Sequence, residues 1–196
     1  MDFLDVIRKR RMTRNFSPEP VADDVVERII DAGNRGPSAG FSQGVRFITI
    51  TDEATRKRVG ECTGEHGYIA AGFGPFVSSA PVQIVVCTSE AIYRERYSQP
   101  DKRRAAARDP MFPVPYWYTD AGCALMLILL AATNEGLGTA FVGIHDMPGI
   151  RTLLGIPDEF TPIGVTLVGH PVADRKSGSL KRGRRTLTEV HHRERW

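Results

Sequence analysis

Cysteine is scarce in this 196-residue chain, and long apolar runs are missing. Cys62, Cys87 and Cys123 are far apart and form no Cys-x-x-Cys or Cys–His grouping, so neither a zinc site nor a disulfide framework is expected. Cys87 and Cys123 sit in apolar segments and are expected in the core; Cys62 lies near a loop and is expected to be more exposed. The longest continuous apolar stretch, Ala124 to Ala132, falls far short of the roughly 20 residues that cross a bilayer. The opening "MDFLDVIRKR" is broken by acidic residues and leads into no apolar signal core. A soluble cytoplasmic protein without membrane contact is the expectation. Charge of one sign is barely in excess: 26 Lys and Arg against 23 Asp and Glu leave a net +3, which is thin support for a nucleic-acid binder.

Motifs that announce chemistry are missing too. No GxGxxG follows a strand and opens a helix, and no GxxxxGK[ST] occurs, so neither a dinucleotide fingerprint nor a P-loop is present. "AGFGPF", residues 71–76, precedes a strand instead of following one. HExxH, GxSxG and a spaced carboxylate pair are absent as well. If the chain is an enzyme, a bound organic cofactor is expected to carry the reaction, with no metal.

What is present is an ordinary globular balance, 41% hydrophobic and 25% charged, enough for one domain spanning residues 1–196. Phe3, Leu4, Val6 and Ile7 predict a short helix behind Asp2. Val25, Val26, Ile29 and Ile30 predict a second helix from Asp23, stopped by "DAGNRGPSAG". "GVRFITITD" predicts a strand ending at Asp52, and a charged helix follows through about Gly60. "GYIAAGFGPFVSS", 67–79, has the small-residue bias of a helix packed on something flat. "APVQIVVCT", 80–88, lacks polar alternation and predicts a central strand.

Residues 90–116 mix charge with Pro100, Pro110, Pro113 and Pro115, predicting a surface insertion or lid with a helical middle. Behind it, "YTDAGCALMLILLAATNEGLG" predicts an apolar helix capped at Thr119, with Asp120 in its first turn and a stop at Gly136. Its all-round apolarity predicts a central helix or one shared across a dimer contact. "TAFVG" and "TPIGVTLVGHP" predict two more strands, and "MPGIRTLLG" a short helix with Pro148 in its first turn. The tail, residues 172–196, is basic and holds little core material.

Arginine clusters open and close the chain. "RKRRMTRNF", residues 8–16, sets Arg8, Lys9, Arg10, Arg11 and Arg14 within seven residues, and Lys181, Arg182, Arg184 and Arg185 stand near the end. Two or three converging arginine forks suit the doubly charged oxygens of a phosphate monoester.

Taken in order, "RKRRMTRNF", "GPSAGFSQGVRFITITD", "LAATNEGLGTAFVG", "LGIPDEFTPIGVTLVGHP" and the basic stretch before "EVHHRERW" resemble the FMN-dependent nitroreductase family over nearly the whole chain. The resemblance implies an α+β fold with a mixed central sheet flanked by helices. It also implies a homodimer with one FMN in each of two interface sites, and a C-terminal segment exchanged with the partner. By the family's basic–basic–Ser–x–basic motif, Arg10, Arg11 and Arg14 are expected at the FMN phosphate and the polar edge of the flavin. Met12 stands at the usual serine position and can offer its backbone. The family's Pro–Ser–x–x–Asn–x–Gln–Pro motif falls on Pro37, Ser38, Phe41, Gln43 and Gly44. Ser38 and Ala39 are then expected beneath the flavin, with Phe41 replacing the asparagine.

Gly143 and Ile144 are expected to present backbone beside flavin N5, and one of Arg184 and Arg185 to reach the phosphate. The implied reaction passes hydride from NADH or NADPH through the flavin to a small planar acceptor such as a nitroaromatic or quinone. Phe112, Tyr116, Trp117 and His145 are candidate substrate contacts. A specialist flavoenzyme of the same fold is the second reading. An anion or nucleic-acid module is a third, supported by charge alone.

Overall fold

In the computed structural model, which describes residues 2–102 and 112–196, the fold is organised by one strand that has no solvent-facing side. All seven residues of β2 (Val82–Thr88) are buried. β1 (Val45–Ile50), β3 (Gly138–Val142) and β4 (Thr161–Gly169) complete a four-stranded sheet in the order β1-β2-β4-β3, every ladder antiparallel. The parallel component of the expected mixed sheet is confined to a bridge between Met12 and Thr139.

Side chains alternate across β2, so both faces need cover. Val82, Ile84 and Val86 meet Ile29 of α2 (Asp23–Asn34) and Ala121, Ile128 and Ala132 of α7 (Tyr116–Asn134). Val85 and Cys87 face the other way, into Val59 of α3 (Glu53–Cys62), Phe76 and Val77 of α5 (Phe76–Ser79), and Ile150 of α8 (Met147–Leu154). The result is helix, sheet, helix in three layers. By length and composition α7 is apolar enough to cross a membrane; here it packs against α2 and every strand of the sheet. α1 (Phe3–Lys9), capped by Asp2 as expected, leans on α7 but buries only Val6, leaving Phe3, Leu4 and Ile7 exposed.

Four expectations need correction. β1 ends at Ile50, because the Asp52 carboxylate turns away to accept the Thr55 amide and cap α3. The helix expected over 67–79 is two short ones, α4 (Glu65–Ala70) and α5, broken where Gly72 takes a left-handed φ of 81° ahead of Gly74 and Pro75. α7 starts at Tyr116 behind Pro115, so Thr119 lies inside the helix and caps nothing. Cys62 is buried in α3, whereas Cys123 is only half-buried. Burial pushes the Cys87 thiol up to about 11 and raises that of Cys62. Neither is a thiolate at neutral pH. Of the insertion, the described part opens with α6 (Glu90–Ser98), at the segment's start; the helical middle expected there falls largely on residues 103–111, which lie outside the described residues.

The break at 71–75 leaves α5 needing an acceptor for its first amides. The buried Glu65 carboxylate provides one oxygen to Val77 N–H at 2.7 Å and Ser78 N–H at 2.9 Å. Glu65→Ala is expected to cost about 2–4 kcal/mol in urea unfolding, because two amides lose a charged acceptor. Glu65→Gln, which retains an oxygen there, should lose less than half as much.

Candidate functional site

Behind α1 the chain is strapped across the sheet's end. Thr13 N–H donates to the Thr139 carbonyl at 2.8 Å, Ser17 N–H to His170 at 2.9 Å, and Val172 N–H returns to Asn15 at 3.3 Å. This extended run lies beside the start of β3 and the exit of β4, and it carries the first arginine cluster. Met12 turns its side chain into the core beside the sheet. Its backbone stays in the strap, so a side-chain hydroxyl is not what this position supplies.

A carboxylate that sequence reasoning did not single out organises the cluster. Asp174, its side chain 6% exposed, accepts the Arg11 guanidinium through both oxygens at 2.7 and 2.9 Å, and the Arg14 amide at 2.8 Å. The Arg14 guanidinium lies 5.2 Å from the Phe73 ring centre, and Arg175 lies 5.5 Å from the same ring while donating to the Ala71 and Gly72 carbonyls. Arg11 is thus already paired. Among the described residues Arg10 and Arg14 have no carboxylate partner, so their charge is available to an anion.

The turn after β3 is fixed on the same face of the sheet, where Ile144, Met12 and Phe73 all pack against one apolar cluster. His145 N–H and Asp146 N–H both donate to the Cys62 carbonyl at 2.9 Å, and Asp146 caps α8, so the turn is fixed from behind. Gly143 is exposed in front, and a Cβ built there meets nothing within 4 Å. A flat ligand has open access to this backbone. The exposed His145 ring lies against Gly64.

The loop from Pro37 to Gln43 is held on other elements. Ser38 Oγ accepts the Gln43 amide at 2.7 Å, and Arg96 of α6 donates to the Gly40 carbonyl at 2.9 Å. Asp120 of α7 accepts the Ala39 amide and the Tyr93 hydroxyl, each at 2.7 Å. Gly40, Phe41 and Gln43 have φ of 64°, 56° and 55°. For the two non-glycine residues that left-handed geometry costs on the order of 1 kcal/mol or more each. Phe41 spends it while leaving its ring 74% exposed. Pro37, Ser38, Phe41 and Asp120 border an opening of about 650 Å³.

Aromatic side chains gather next to this loop. Phe112 stands 4.8 Å from Tyr97, 6.2 Å from Tyr116 and 5.8 Å from Trp117, centre to centre. Trp117 is a core residue, only 7% exposed and edge-on to Tyr93. That burial corrects the expectation that its ring faces a substrate. Tyr116 and Phe112 retain exposed surface.

Compared with known proteins, residues 7–67 and 64–170 match the Nitroreductase family model. The chain belongs to the Nitroreductase family. A Bacillus subtilis protein named FMN reductase, NAD(P)H, is 30% identical over 197 residues, covering 98% of this chain and 74% of that protein. A Clostridium difficile nitroreductase family protein superimposes with a TM-score of 0.74 over all of both chains at 21% identity. The NADPH:FMN oxidoreductase of Vibrio harveyi, solved in complex with NAD+, does so at 0.73, covering 100% of this chain and 78% of that one at 23% identity. The α+β fold expected from the sequence is the fold of this family.

Against the family motif, the single chain gathers only part of the expected site. Arg10, Arg11 and Arg14 lie on or beside the strap that bonds to the start of β3, and Gly143 and Ile144 follow the other end of that strand. Pro37, Ser38, Ala39 and Phe41 are fixed on α6 and α7, with no hydrogen bond or ion pair to the first group among the described residues. Arg184 and Arg185 lie in a segment exposed throughout residues 178–196, where Arg185 pairs with Glu189 at 3.1 Å. Asp174→Ala is expected to cost about 1–2 kcal/mol in chemical denaturation, since Arg14 N–H and the half-exposed Arg11 lose their acceptor. Limited proteolysis should then cut faster within residues 172–176.

Proposed function

We propose that this Nitroreductase-family chain is an FMN-dependent oxidoreductase that takes hydride from NADH or NADPH and delivers it to a small planar acceptor such as a nitroaromatic or quinone. One observation carries the reading. Among the described residues the Arg10 and Arg14 guanidiniums have no carboxylate partner; they stand on the strap bonded to the start of β3, the strand that leads to an open Gly143 backbone, and the family motif puts them at flavin positions. The donor set fits the group: guanidinium forks for a phosphate, and a glycine turn with no Cβ in front of a flat ring. FMN, when bound, supplies the two-electron chemistry that no side chain here provides.

The chain's own residues bind, orient and exclude water. Arg10 and Arg14 neutralise phosphate charge. Arg11, already held by Asp174, stiffens the strap that carries them. The Gly143–Ile144 backbone, tied down through Cys62, sets how closely the ring approaches. The Pro37–Phe41 loop forms a second wall, and Tyr116 and Phe112 offer flat surfaces for a planar acceptor. In this reading the 90–116 insertion acts as the lid of that slot, within a single domain of residues 1–196.

Because the two walls sit on separate elements of one chain, the reading includes a homodimer in which the partner supplies one of them. The exposed tail has a complementary place to go. An open groove of about 740 Å³ runs between α2 and edge strand β1, bordered by Asp23, Glu27 and Asp31. The tail carries Lys181, Arg182, Arg184, Arg185, Arg193 and Arg195. Opposite charge and an unpaired strand edge favour the partner's tail in that groove, which delivers Arg184 or Arg185 towards a site. A nicotinamide reductant suits a cytoplasmic protein.

The purified protein is expected to show a visible flavin spectrum and to release a molecule of FMN's mass, with NAD(P)H bleaching the colour. A colourless protein that cannot be reconstituted with FMN sinks the reading. Arg10→Ala should weaken FMN binding by about tenfold through loss of a charge-assisted contact, read by fluorescence titration of the apoprotein; unchanged affinity removes Arg10 from the site. Deleting residues 177–196 should convert the dimer to monomer in sedimentation and abolish FMN retention.

A further inference from the structure

The carboxylate of Asp120 is buried, 5% exposed, at the start of the core helix α7, and it forms no ion pair among the described residues. A buried charge without a counter-ion persists only if strong donors satisfy it. Two donors do so here at one oxygen: the Ala39 amide and the Tyr93 hydroxyl, both at 2.7 Å. Burial, and next the bond to Asp120, hold the Tyr93 hydroxyl well above the ordinary tyrosine range, so it stays a donor. Each donor comes from a different functional segment. Ala39 lies in the left-handed loop, and Tyr93 lies on α6, the described part of the insertion. The Tyr93 ring also fills the space where a Cβ on Gly44 would stand, 2.5 Å from its Cε2.

We propose that Asp120 is the positioning residue of the Pro37–Gln43 loop, joining that loop and the insertion helix to the rigid core through one carboxylate. The inference rests on the proposed function for what the loop is for, namely a wall against the flavin. It does not rest on it for the mechanical claim. Left-handed Phe41 and Gln43 are a conformation the chain leaves unless something fixes it. The internal bonds of the loop close it on itself, and the Ala39 amide bond anchors it to α7. Tyr93 draws on the same oxygen and Arg96 binds the Gly40 carbonyl directly, so α6 and the loop are tied to each other and, through Asp120, to α7. The flavin wall and α6 therefore move as a unit.

The test compares the wild-type protein with Asp120→Ala, Asp120→Asn and Tyr93→Phe by two readouts. The first is amide hydrogen exchange over residues 38–43 in the apoprotein. The second is FMN affinity together with the visible circular dichroism of the bound flavin. Asp120→Ala is expected to speed exchange in that segment, and to weaken FMN binding, by about tenfold or more, and to alter the flavin dichroism. Asp120→Asn retains an acceptor for Ala39 and should recover most of both. Tyr93→Phe should fall between, faster in exchange than wild type.

Wild-type exchange over 38–43 in Asp120→Ala overturns the proposal. So does an Asp120→Asn protein no better than Asp120→Ala, since the residue would then serve bulk stability alone. If Asp120→Ala does not fold, Tyr93→Phe decides: exchange equal to wild type overturns the shared anchor. A wild-type protein that binds no FMN defeats the proposed function, while the exchange data still judge Asp120.

Discussion

The geometry of this protein depends on one backbone hydrogen bond and the strap it begins: Thr13 N–H to the Thr139 carbonyl, 2.8 Å. Thr139 is the second residue of β3, an edge strand whose outer side has no strand partner among the described residues. The strap takes that side, satisfying a backbone acceptor that would otherwise need water. Everything polar in the neighbourhood follows from the registration. Met12 goes inward, Arg14 reaches the Phe73 ring, and the strap runs on beside the exit of β4, close enough for Asp174 to bind both Arg11 and the Arg14 amide. A one-residue slip would take Met12 off the apolar cluster.

The core explains why the functional surface is divided. β2 is covered on both faces, so the sheet offers no open face for a ligand, and binding is left to edges, strand ends and loops. Those features lie where the helices stop. The strap and the Gly143 turn share one apolar cluster; the Pro37–Gln43 loop hangs from α6 and α7. Within the single chain these surfaces stay separate, and the basic residues 178–196 are exposed throughout. Holding unpaired arginines close together is tolerable only while solvent or a bound anion screens them. In the proposed reading, a cofactor phosphate relieves that repulsion.

Much of the fold was legible because it is local. The mostly apolar run of β2, the 3–4 spacing of α2, the Gly136 stop and Pro148 in the first turn of α8 are consequences of nearest-neighbour chemistry, and each element stands where the pattern puts it. The arginines of the strap were legible as charge. What escaped was non-local. Asp120 read as a first-turn acid, although its real partners are Ala39, 81 positions away, and Tyr93, 27 away. Asp174 sits 163 positions from Arg11. Trp117 looked available beside prolines, but the helix began at Tyr116 and rotated it inward. Residues 67–79 had helical composition, and Gly72 with a left-handed φ divided them.

The polar features that escaped share one physical pattern. Glu65, Asp120 and Asp174 are carboxylates buried at places where the regular hydrogen-bond ladders end, and each accepts a backbone amide from a remote stretch: Val77 and Ser78, Ala39, and Arg14. A charged acceptor binds such an amide more strongly than a carbonyl does, and one carboxylate can take a second donor as well. Apolar packing positions whole elements, but it is tolerant of small sliding. A carboxylate held to amides at 2.7 to 2.9 Å is not. The fold therefore sets its helices by burial and its loops by buried acids.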